Sequence, residues 1–229
     1  MTSYNYDSFS PDNYDLASAD GPDIGQKAPD FRLETHDGEA RNLLDFKGDC
    51  IVLELGSITC PLFLTRHDSM QKIARDYPNV AHVVLYVREA HPGKTIPAHK
   101  TIEDKKAVAT LLKTEFSDPR TILVDGIGGE AHMAYGSMPN AIYIIDREGI
   151  VRFKAPWNNS MTTRRALDAV LHNKPADFKS YFKPAKPWIV LSTAKRAGKG
   201  SAKDFFHGLP RLIWNVLIKN NIRTLLGRS

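Results

Sequence analysis

Apolar and polar residues follow one another along the chain in blocks that predict alternating strands and helices. Residues 51–56 form a continuous apolar run of strand length, which is typical of a strand at the centre of a sheet. Apolar residues then recur at near-helical spacing as far as Tyr77, and Pro61 occupies the position of a first helical residue, where its missing N–H is not needed. The sequence therefore predicts a buried strand followed directly by a helix.

The same alternation continues through the middle of the chain. Residues 25–35 begin a short hairpin whose turn lies at residues 36–39. The predicted strands that follow cover residues 80–87, 121–125, 141–146 and 150–155, and the predicted helices cover residues 102–116, 130–135 and 162–172. Strands that alternate with helices and then form a hairpin predict an α/β domain with a mixed central sheet flanked by helices.

Composition divides the chain into four parts. Residues 1–22 are rich in Ser, Asp, Asn and Tyr and contain no Lys or Arg, which predicts a flexible acidic arm. Residues 23–173 carry the strand and helix pattern and form the predicted domain. Residues 174–203 are rich in Lys, Pro, Ala, Gly and Ser, as in a basic linker, and residues 204–229 predict an amphipathic basic helix.

The overall composition excludes several classes of protein. Among 229 residues, 42% are hydrophobic and 25% are charged, as in ordinary soluble domains. With 2 cysteines the chain is not a disulfide-rich secreted scaffold. It has neither an apolar run long enough to span a membrane nor the pattern of a signal peptide. We therefore expect a cytoplasmic protein.

Positive charge is concentrated in the last quarter of the chain, although the net charge is only +5. The predicted C-terminal helix also has apolar residues at helical spacing, namely Phe205, Phe206, Leu209, Leu212, Ile213, Val216, Leu217 and Leu225. A basic helix with such a face and with Trp214 can lie on an anionic membrane surface. The alternatives are that it packs on its own domain or on a second subunit of a homodimer. Nucleic acid is not expected, because the apolar face would then have no role.

Cys60 is the strongest candidate for chemistry. It lies between a predicted central strand and the N-terminus of a helix, where the helix dipole favours a thiolate. The alternative is a buried, inert cysteine. Because Phe63 stands three residues later, there is no C-x-x-C dithiol, and a strand of about six residues holds Cys50 about 20 Å away, beyond the reach of a disulfide. We expect Cys50 to be structural and an external thiol to reduce Cys60.

Four motifs accompany this cysteine in the sequence. They are G-S-I-T-C-P-L-F at residues 56–63, Y-V-R-E-A-H-P at 86–92, I-P-A-H at 96–99 and A-Y-G at 134–136. Together they closely resemble the iodothyronine deiodinases, in which a selenocysteine stands at the position of Cys60. The resemblance runs from about residue 46 to residue 157. It implies a thioredoxin-like fold, and the segment G-Q-K-A-P-D-F at residues 25–31 is also found in peroxiredoxin-like domains.

The resemblance implies reductive deiodination of iodinated phenols related to thyroid hormones. The nucleophile takes iodine from the ring, the ring carbon gains a proton, and an external thiol of the thioredoxin or glutathione type regenerates the enzyme. By position, Cys60 is the nucleophile, and Ser57 and Thr59 form hydrogen bonds near it. A soft thiolate suits a polarisable iodine atom.

The resemblance also implies a proton relay and a substrate contact. Tyr86, Glu89 and His91 match the relay, in which His91 backed by Glu89 acts as an acid near neutral pH, and His99 matches a histidine that meets the phenol. Thioredoxin-like proteins place a cis proline beside the active thiol, so we expect Pro139 to be cis and to border the substrate.

The residues leave two other functions open. One is a thiol peroxidase of the peroxiredoxin type, and the other is a thioredoxin-fold binding module without catalysis. No bound cofactor is expected. A metal site is not expected either, because the histidines and cysteines lack the spacing of metal ligands.

Overall fold

The computed structural model describes residues 4–14 and 20–226, except for the side chains of residues 212, 216, 217, 220, 223 and 224. The predicted apolar positions Leu212, Val216 and Leu217 therefore lie outside the described side chains, as do parts of the predicted arm and tail. None of the helices in the described ranges is long and apolar enough to cross a membrane.

The described residues form seven strands, in the predicted order, and seven α-helices, of which α5 was not predicted. The strands are β1 (Arg32–Thr35), β2 (Ala40–Asn42), β3 (Cys50–Gly56), β4 (Ala81–Tyr86), β5 (Thr121–Val124), β6 (Ile142–Asp146) and β7 (Val151–Ala155). The helices are α1 (Pro61–Asp76), α2 (Ile102–Thr114), α3 (Glu130–Ala134), α4 (Ser160–Leu171), α5 (Pro187–Ala197), α6 (Ser201–Leu212) and α7 (Asn221–Leu225). A 3₁₀ turn lies at Pro11–Asn13, and a π-helical segment at Ile213–Asn220 joins α6 to α7.

All seven strands form one mixed sheet in the order β2-β1-β5-β4-β3-β6-β7. Strands β3, β4 and β5 are parallel, whereas β6 and β1 run antiparallel to their neighbours β3 and β5. Every residue of β3 is buried, as its apolar run predicts for a central strand. The predicted α/β, thioredoxin-like fold with a mixed sheet is confirmed.

Local sequence explains where the helices around the site begin. Pro61 is the first residue of α1, where a proline ring is tolerated because no N–H is required. Thr101 caps α2 by accepting a hydrogen bond from the backbone of Asp104, whose side chain accepts one from the backbone of Thr101 in return. These residues fix the start of α1, shortly after β3, and the start of α2, after the loop that follows β4.

Two predictions about the chain outside the sheet are wrong. Residues 174–203 are not simply a linker, since they contain α5, on which Thr193 and Ala197 are buried. No peptide bond in the described ranges is cis, so Pro139 is trans. The chain turns instead at Gly136 and Ser137, both with positive φ, and the trans form is the intrinsically favoured one.

Candidate active site

Cys60 is the last residue before α1 and lies beyond the carboxyl end of β3, as predicted. Its backbone N–H donates to the carbonyl of Ser57 at 3.0 Å, which closes a tight turn between the strand and the helix. The side chain is only 1% exposed. Both cysteines of the chain are free thiols. The fold thus delivers a single buried thiol to a helix N-terminus.

The surroundings of Cys60 oppose its ionisation. Burial raises the pKa of this thiol to about 11, although the backbone N–H groups of Phe63 and Leu62 at the start of α1 act in the opposite direction. The prediction that the helix dipole favours the thiolate is therefore wrong in its net result. Desolvation outweighs the dipole, and Cys60 is a neutral thiol at pH 7.

Glu89 is the centre of a buried hydrogen-bond network beside this turn. Its carboxylate accepts from the Thr59 hydroxyl at 2.5 Å, from the Tyr86 hydroxyl at 2.5 Å and from Nε2 of His99 at 2.9 Å. Burial alone would raise the pKa of Glu89, but the contact with His99 and the two hydroxyl groups outweigh it and lower the pKa. The Tyr86 hydroxyl also accepts from the backbone of Ile58. Glu89 is thus an ionised anchor.

Two loops are joined next to Cys60 by side-chain acceptors. The backbone N–H of Ala90 donates to the Ser57 hydroxyl at 3.2 Å, and that of His91 donates to the Thr59 hydroxyl at 3.2 Å. Ser57 and Thr59 therefore connect the turn before α1 to the loop after β4. Direct hydrogen bonds join five of the eight predicted residues in one network, Thr59, Tyr86, Glu89, His91 and His99, and join Cys60 to Ser57 as a separate pair.

His91 lies in an apolar setting. Its ring packs between Phe9, with ring centroids 4.1 Å apart, and Phe205, at 5.3 Å. Nδ1 is buried and has no hydrogen-bond partner among the described residues. Burial lowers the pKa of His91 to about 3, so the ring is neutral at pH 7. The expectation that Glu89 backs His91 is wrong, because the Glu89 carboxylate is bonded to His99 instead.

A cavity of about 380 Å³ opens beside Cys60. Its wall is almost entirely apolar, and none of the described residues that line it has a charged side chain. The lining residues are Phe9, Tyr14, Cys60, Pro61, Leu62, Ala90, His91, Pro139, Trp157, Phe182, Pro184, Ala185, Pro187, Val190, Leu191, Phe205, Phe206, Leu209 and Ile213. Pro139 borders the cavity as predicted, although in the trans form. His99 is not among the lining residues.

The N-terminal segment closes one side of this cavity. The rings of Tyr4, Tyr6 and Tyr14 surround the Arg88 guanidinium at 4.9, 5.0 and 4.5 Å from their centroids. Arg88 also donates to the backbone carbonyls of Tyr4 and Asn13, each at 2.7 Å. The prediction of a flexible arm is therefore wrong for residues 4–14. The ordered arm could not be predicted from composition, because the tyrosines that hold it against Arg88 occur at no regular spacing.

The C-terminal helix α6 closes another side. Gly208 packs so tightly that an added Cβ would lie 3.0 Å from Cδ of Pro11. At the start of the helix the Ser201 hydroxyl donates to the backbone carbonyl of His91 at 3.2 Å. Of the alternatives for the predicted amphipathic helix, packing on its own domain is confirmed for α6.

A second buried network, which sequence reasoning missed, lies below the turn that carries Cys60. Arg120 forms an ion pair with Glu54 at 2.5 Å and with Asp118 at 2.7 Å, and Asp118 also contacts Nε2 of His67 at 2.9 Å. Asn158 donates to Glu54 at 2.5 Å. One feature of the sequence could have indicated this network, namely Glu54, a charged residue inside the most apolar strand. No cluster suited to a metal ion occurs within residues 4–14 and 20–226.

Fold and site together define a class of protein. A thioredoxin-like sheet holds one thiol at the N-terminus of the helix that follows its central strand, which is the arrangement of thiol-dependent redox proteins. Solved structures agree on the fold. An uncharacterized conserved protein from Geobacillus kaustophilus superposes with a TM-score of 0.58 at 24% identity and covers 72% of this chain and 94% of its own. A hypothetical protein from Sinorhizobium meliloti gives a TM-score of 0.56 at 21% identity, over 68% of this chain and 88% of its own.

The chain belongs to the iodothyronine deiodinase family, whose sequence model matches residues 6–179. A thyroxine 5-deiodinase from Gallus gallus is 30% identical over 56% of this chain. The match covers 54% of that relative, so the chain spans about half the length of the curated protein it resembles. The predicted family is thereby confirmed.

Proposed function

We propose that this protein reductively deiodinates iodinated phenols and that Cys60 is the group that takes the iodine. The observation that carries the proposal is the position of Cys60. It is the only cysteine in the wall of the apolar cavity, and it stands where the family motif has its nucleophile. An apolar cavity of this size suits an iodinated aromatic ring.

The first step exchanges a proton for iodine. The Cys60 sulfur attacks the iodine atom, the S–I bond forms as the C–I bond breaks, and the bonding electron pair stays on the ring carbon. The proton that the thiol loses ends on that carbon, so thiol and aryl iodide become sulfenyl iodide and arene. His91, which is neutral and borders the cavity, is the group proposed to relay this proton, one ring nitrogen accepting as the other donates, so that the ring stays uncharged.

The second step restores the thiol. One external thiol attacks the Cys60 sulfur and releases iodide and a proton, which leaves a mixed disulfide. A second external thiol breaks this disulfide and regenerates Cys60. A reductant from outside the chain is required because Cys60 has no resolving cysteine in a C-x-x-C motif. Thioredoxin and glutathione are the chemical types that fit.

Iodide release tests the proposal against its two alternatives. The full chain is incubated with a 2-iodophenol and dithiothreitol, and iodide and deiodinated phenol are measured beside hydrogen peroxide consumption. We expect equal amounts of iodide and phenol, absent from a Cys60→Ser sample. Peroxide consumption without iodide would establish the peroxidase instead. No turnover of either compound by a folded protein would favour the binding module.

We also propose that the end of the chain lies on an anionic membrane surface. Residues 174–229 carry 12 Lys or Arg against 2 Asp, and Trp214, Ile218 and Ile222 expose apolar side chains on the last helical segments. Aromatic and basic residues together suit the lipid interface. A cytoplasmic location stays a prediction.

Vesicle binding tests the membrane proposal without removing a helix that lines the cavity. The protein is sedimented with vesicles of phosphatidylserine and phosphatidylcholine at low and high salt. Trp214→Glu should weaken binding about tenfold, and salt should weaken it in every variant. Met161→Glu, at an exposed position on α4, is the control. If Trp214→Glu changes the oligomeric state instead, this face contacts a second copy of the chain.

A further inference from the structure

More than half of the cavity wall comes from a segment beyond the part of the chain that matches the family. The match ends at residue 179, whereas Phe182 and all the lining residues of α5 and α6 come later. On α5 these are Pro187, Val190 and Leu191. The preference of this cavity among substrates therefore depends on residues beyond the matched part of the chain as well as on the matched core.

The cavity offers no charge to a bound molecule. None of its described lining residues is Asp, Glu, Lys or Arg, and its two titratable groups nearest the chemistry, Cys60 and His91, are both neutral at pH 7. Tyr14, which also borders the cavity, has a pKa raised by burial. A carboxylate or ammonium group inside the cavity would therefore lose its hydration without gaining a counter-ion.

The buried charges close to the cavity already have partners. Glu89 is bonded to His99, and Arg88 is held by two backbone carbonyls and three tyrosine rings. Arg66 donates to the backbone carbonyls of Asn158 at 2.8 Å and Leu62 at 3.1 Å, and also to the backbone carbonyl of Lys183. None of the three can turn toward a ligand without leaving buried acceptors or donors unpaired.

We infer that this cavity selects uncharged iodinated aromatics and rejects those with a carboxylate or an amino-acid group. The wall formed by α5 and α6 is the element that imposes this selectivity. The inference rests on the proposed deiodination, because it concerns the substrate class of the same thiol. It predicts a substrate without the charged end of an amino acid.

Helix α5 offers a matched pair of positions for a test. Leu191 and Trp188 are both exposed, at 59% and 63%, and lie one helical turn apart. Leu191 lines the cavity, whereas Trp188 does not. A lysine is tolerated at either position because both face water. Only the lysine at position 191 can reach a charged group on a bound molecule.

The experiment compares two substrates that differ in one charge. These are 3-(4-hydroxy-3-iodophenyl)propanoic acid, ionised at pH 7, and its methyl ester, with kcat/KM measured from iodide release. We expect the ester to be preferred about thirtyfold by the natural chain, since the acid must bury or displace an unpaired carboxylate. Leu191→Lys should raise kcat/KM for the acid about fivefold, and Trp188→Lys should leave the preference unchanged.

Equal kcat/KM values for acid and ester, or equal effects of the two lysine variants, would overturn the inference. If neither compound releases iodide, the proposed function fails, and binding then decides the selectivity separately. For that purpose both compounds are titrated into Cys60→Ser protein by calorimetry. Tighter binding of the ester than of the acid, with the affinity for the acid raised only by Leu191→Lys in the same background, would support selection of uncharged aromatics. Equal affinities for the two compounds would overturn it.

Discussion

The two ends of the central strand carry the two cysteines of the chain, and their surroundings differ. Cys50 opens β3, and burial together with the carboxylates of Asp49 and Asp146 raises its pKa to about 12. Cys60 follows β3, and burial raises its pKa to about 11 while the N-terminus of α1 acts against that rise. Both side chains are almost fully buried. Burial therefore does not distinguish the candidate nucleophile from the structural cysteine.

What distinguishes them is the structure around each sulfur. Cys60 borders an apolar cavity that can hold a ring, and the turn that carries it is anchored to Glu89 through Thr59. Cys50 begins a strand beside two carboxylates, which disfavour any second negative charge. Reactivity at Cys60 thus depends on an anchored turn and a binding cavity rather than on a low thiol pKa.

The largest expected difference follows from removing each sulfur in turn. Cys60→Ser should lower iodide release by about a thousandfold or more, because a hydroxyl is a poor nucleophile toward iodine. Cys50→Ser should keep most of the activity. Thermal unfolding of both variants checks that they remain folded. Equal loss of activity in two folded variants would contradict the assignment.

The next largest loss of activity is expected when the turn that carries Cys60 loses its anchor, Glu89. Glu89→Gln replaces two anionic acceptors with one neutral oxygen and an amide donor, so the contacts with Thr59, Tyr86 and His99 cannot all persist. A small shift of Cys60 should then lower kcat about 10- to 100-fold. Glu148→Gln, an exposed carboxylate, is the control. Full activity of Glu89→Gln would show that the network does not position the thiol.

Much of this site follows from sequence because its parts are local to strand ends. The apolar run before Cys60 and the Pro61 helix start fix the thiol at the carboxyl edge of the sheet. The parallel strand β4 brings Tyr86 to the same edge, and the loop after it carries Glu89 and His91. The topology of parallel strands therefore explains why these residues, which the family resemblance implied, meet at one edge of the sheet.

The rest depends on packing between distant segments, which the sequence pattern does not encode. The arm is held by tyrosines that converge on Arg88 from separate turns, and α6 is held by the close approach of Gly208 to Pro11. These same segments bury His91 and Cys60. The sign of both pKa shifts was consequently inaccessible, because part of the desolvation arises from residues of the arm and of α6, which are distant in the sequence.

The pKa difference between the cysteines predicts how alkylation depends on pH. The pKa of Cys60 is about 11, so between pH 7 and pH 10 most of this thiol is protonated. Its thiolate fraction, and hence its rate of reaction with iodoacetamide, should therefore rise about tenfold per pH unit over this range. The rate is measured by mass spectrometry in Cys50→Ser protein. A rate that is already constant near pH 7 would show that the thiolate is stabilised after all.

The smallest effect concerns the arm. Arg88→Met removes the cation at the centre of the tyrosine cluster and should loosen residues 4–14 over the cavity. Alkylation of Cys60 should then increase about threefold, while that of Cys50 stays constant. Arg147→Met, beside Cys50, is the matched change at the other end of β3 and should not affect Cys60. Equal acceleration at both cysteines would indicate general destabilisation.

A single turnover without reductant shows whether the Cys60 sulfur itself takes the iodine. The 229-residue chain is mixed with excess iodophenol in the absence of external thiol, and the deiodinated phenol is quantified. The remaining thiols are then alkylated and located by mass spectrometry. We expect about one equivalent of deiodinated phenol per chain, with Cys60 no longer alkylated and Cys50 still alkylated. Deiodinated phenol formed while Cys60 stays a reactive thiol, or with Cys50 consumed in its place, would contradict it.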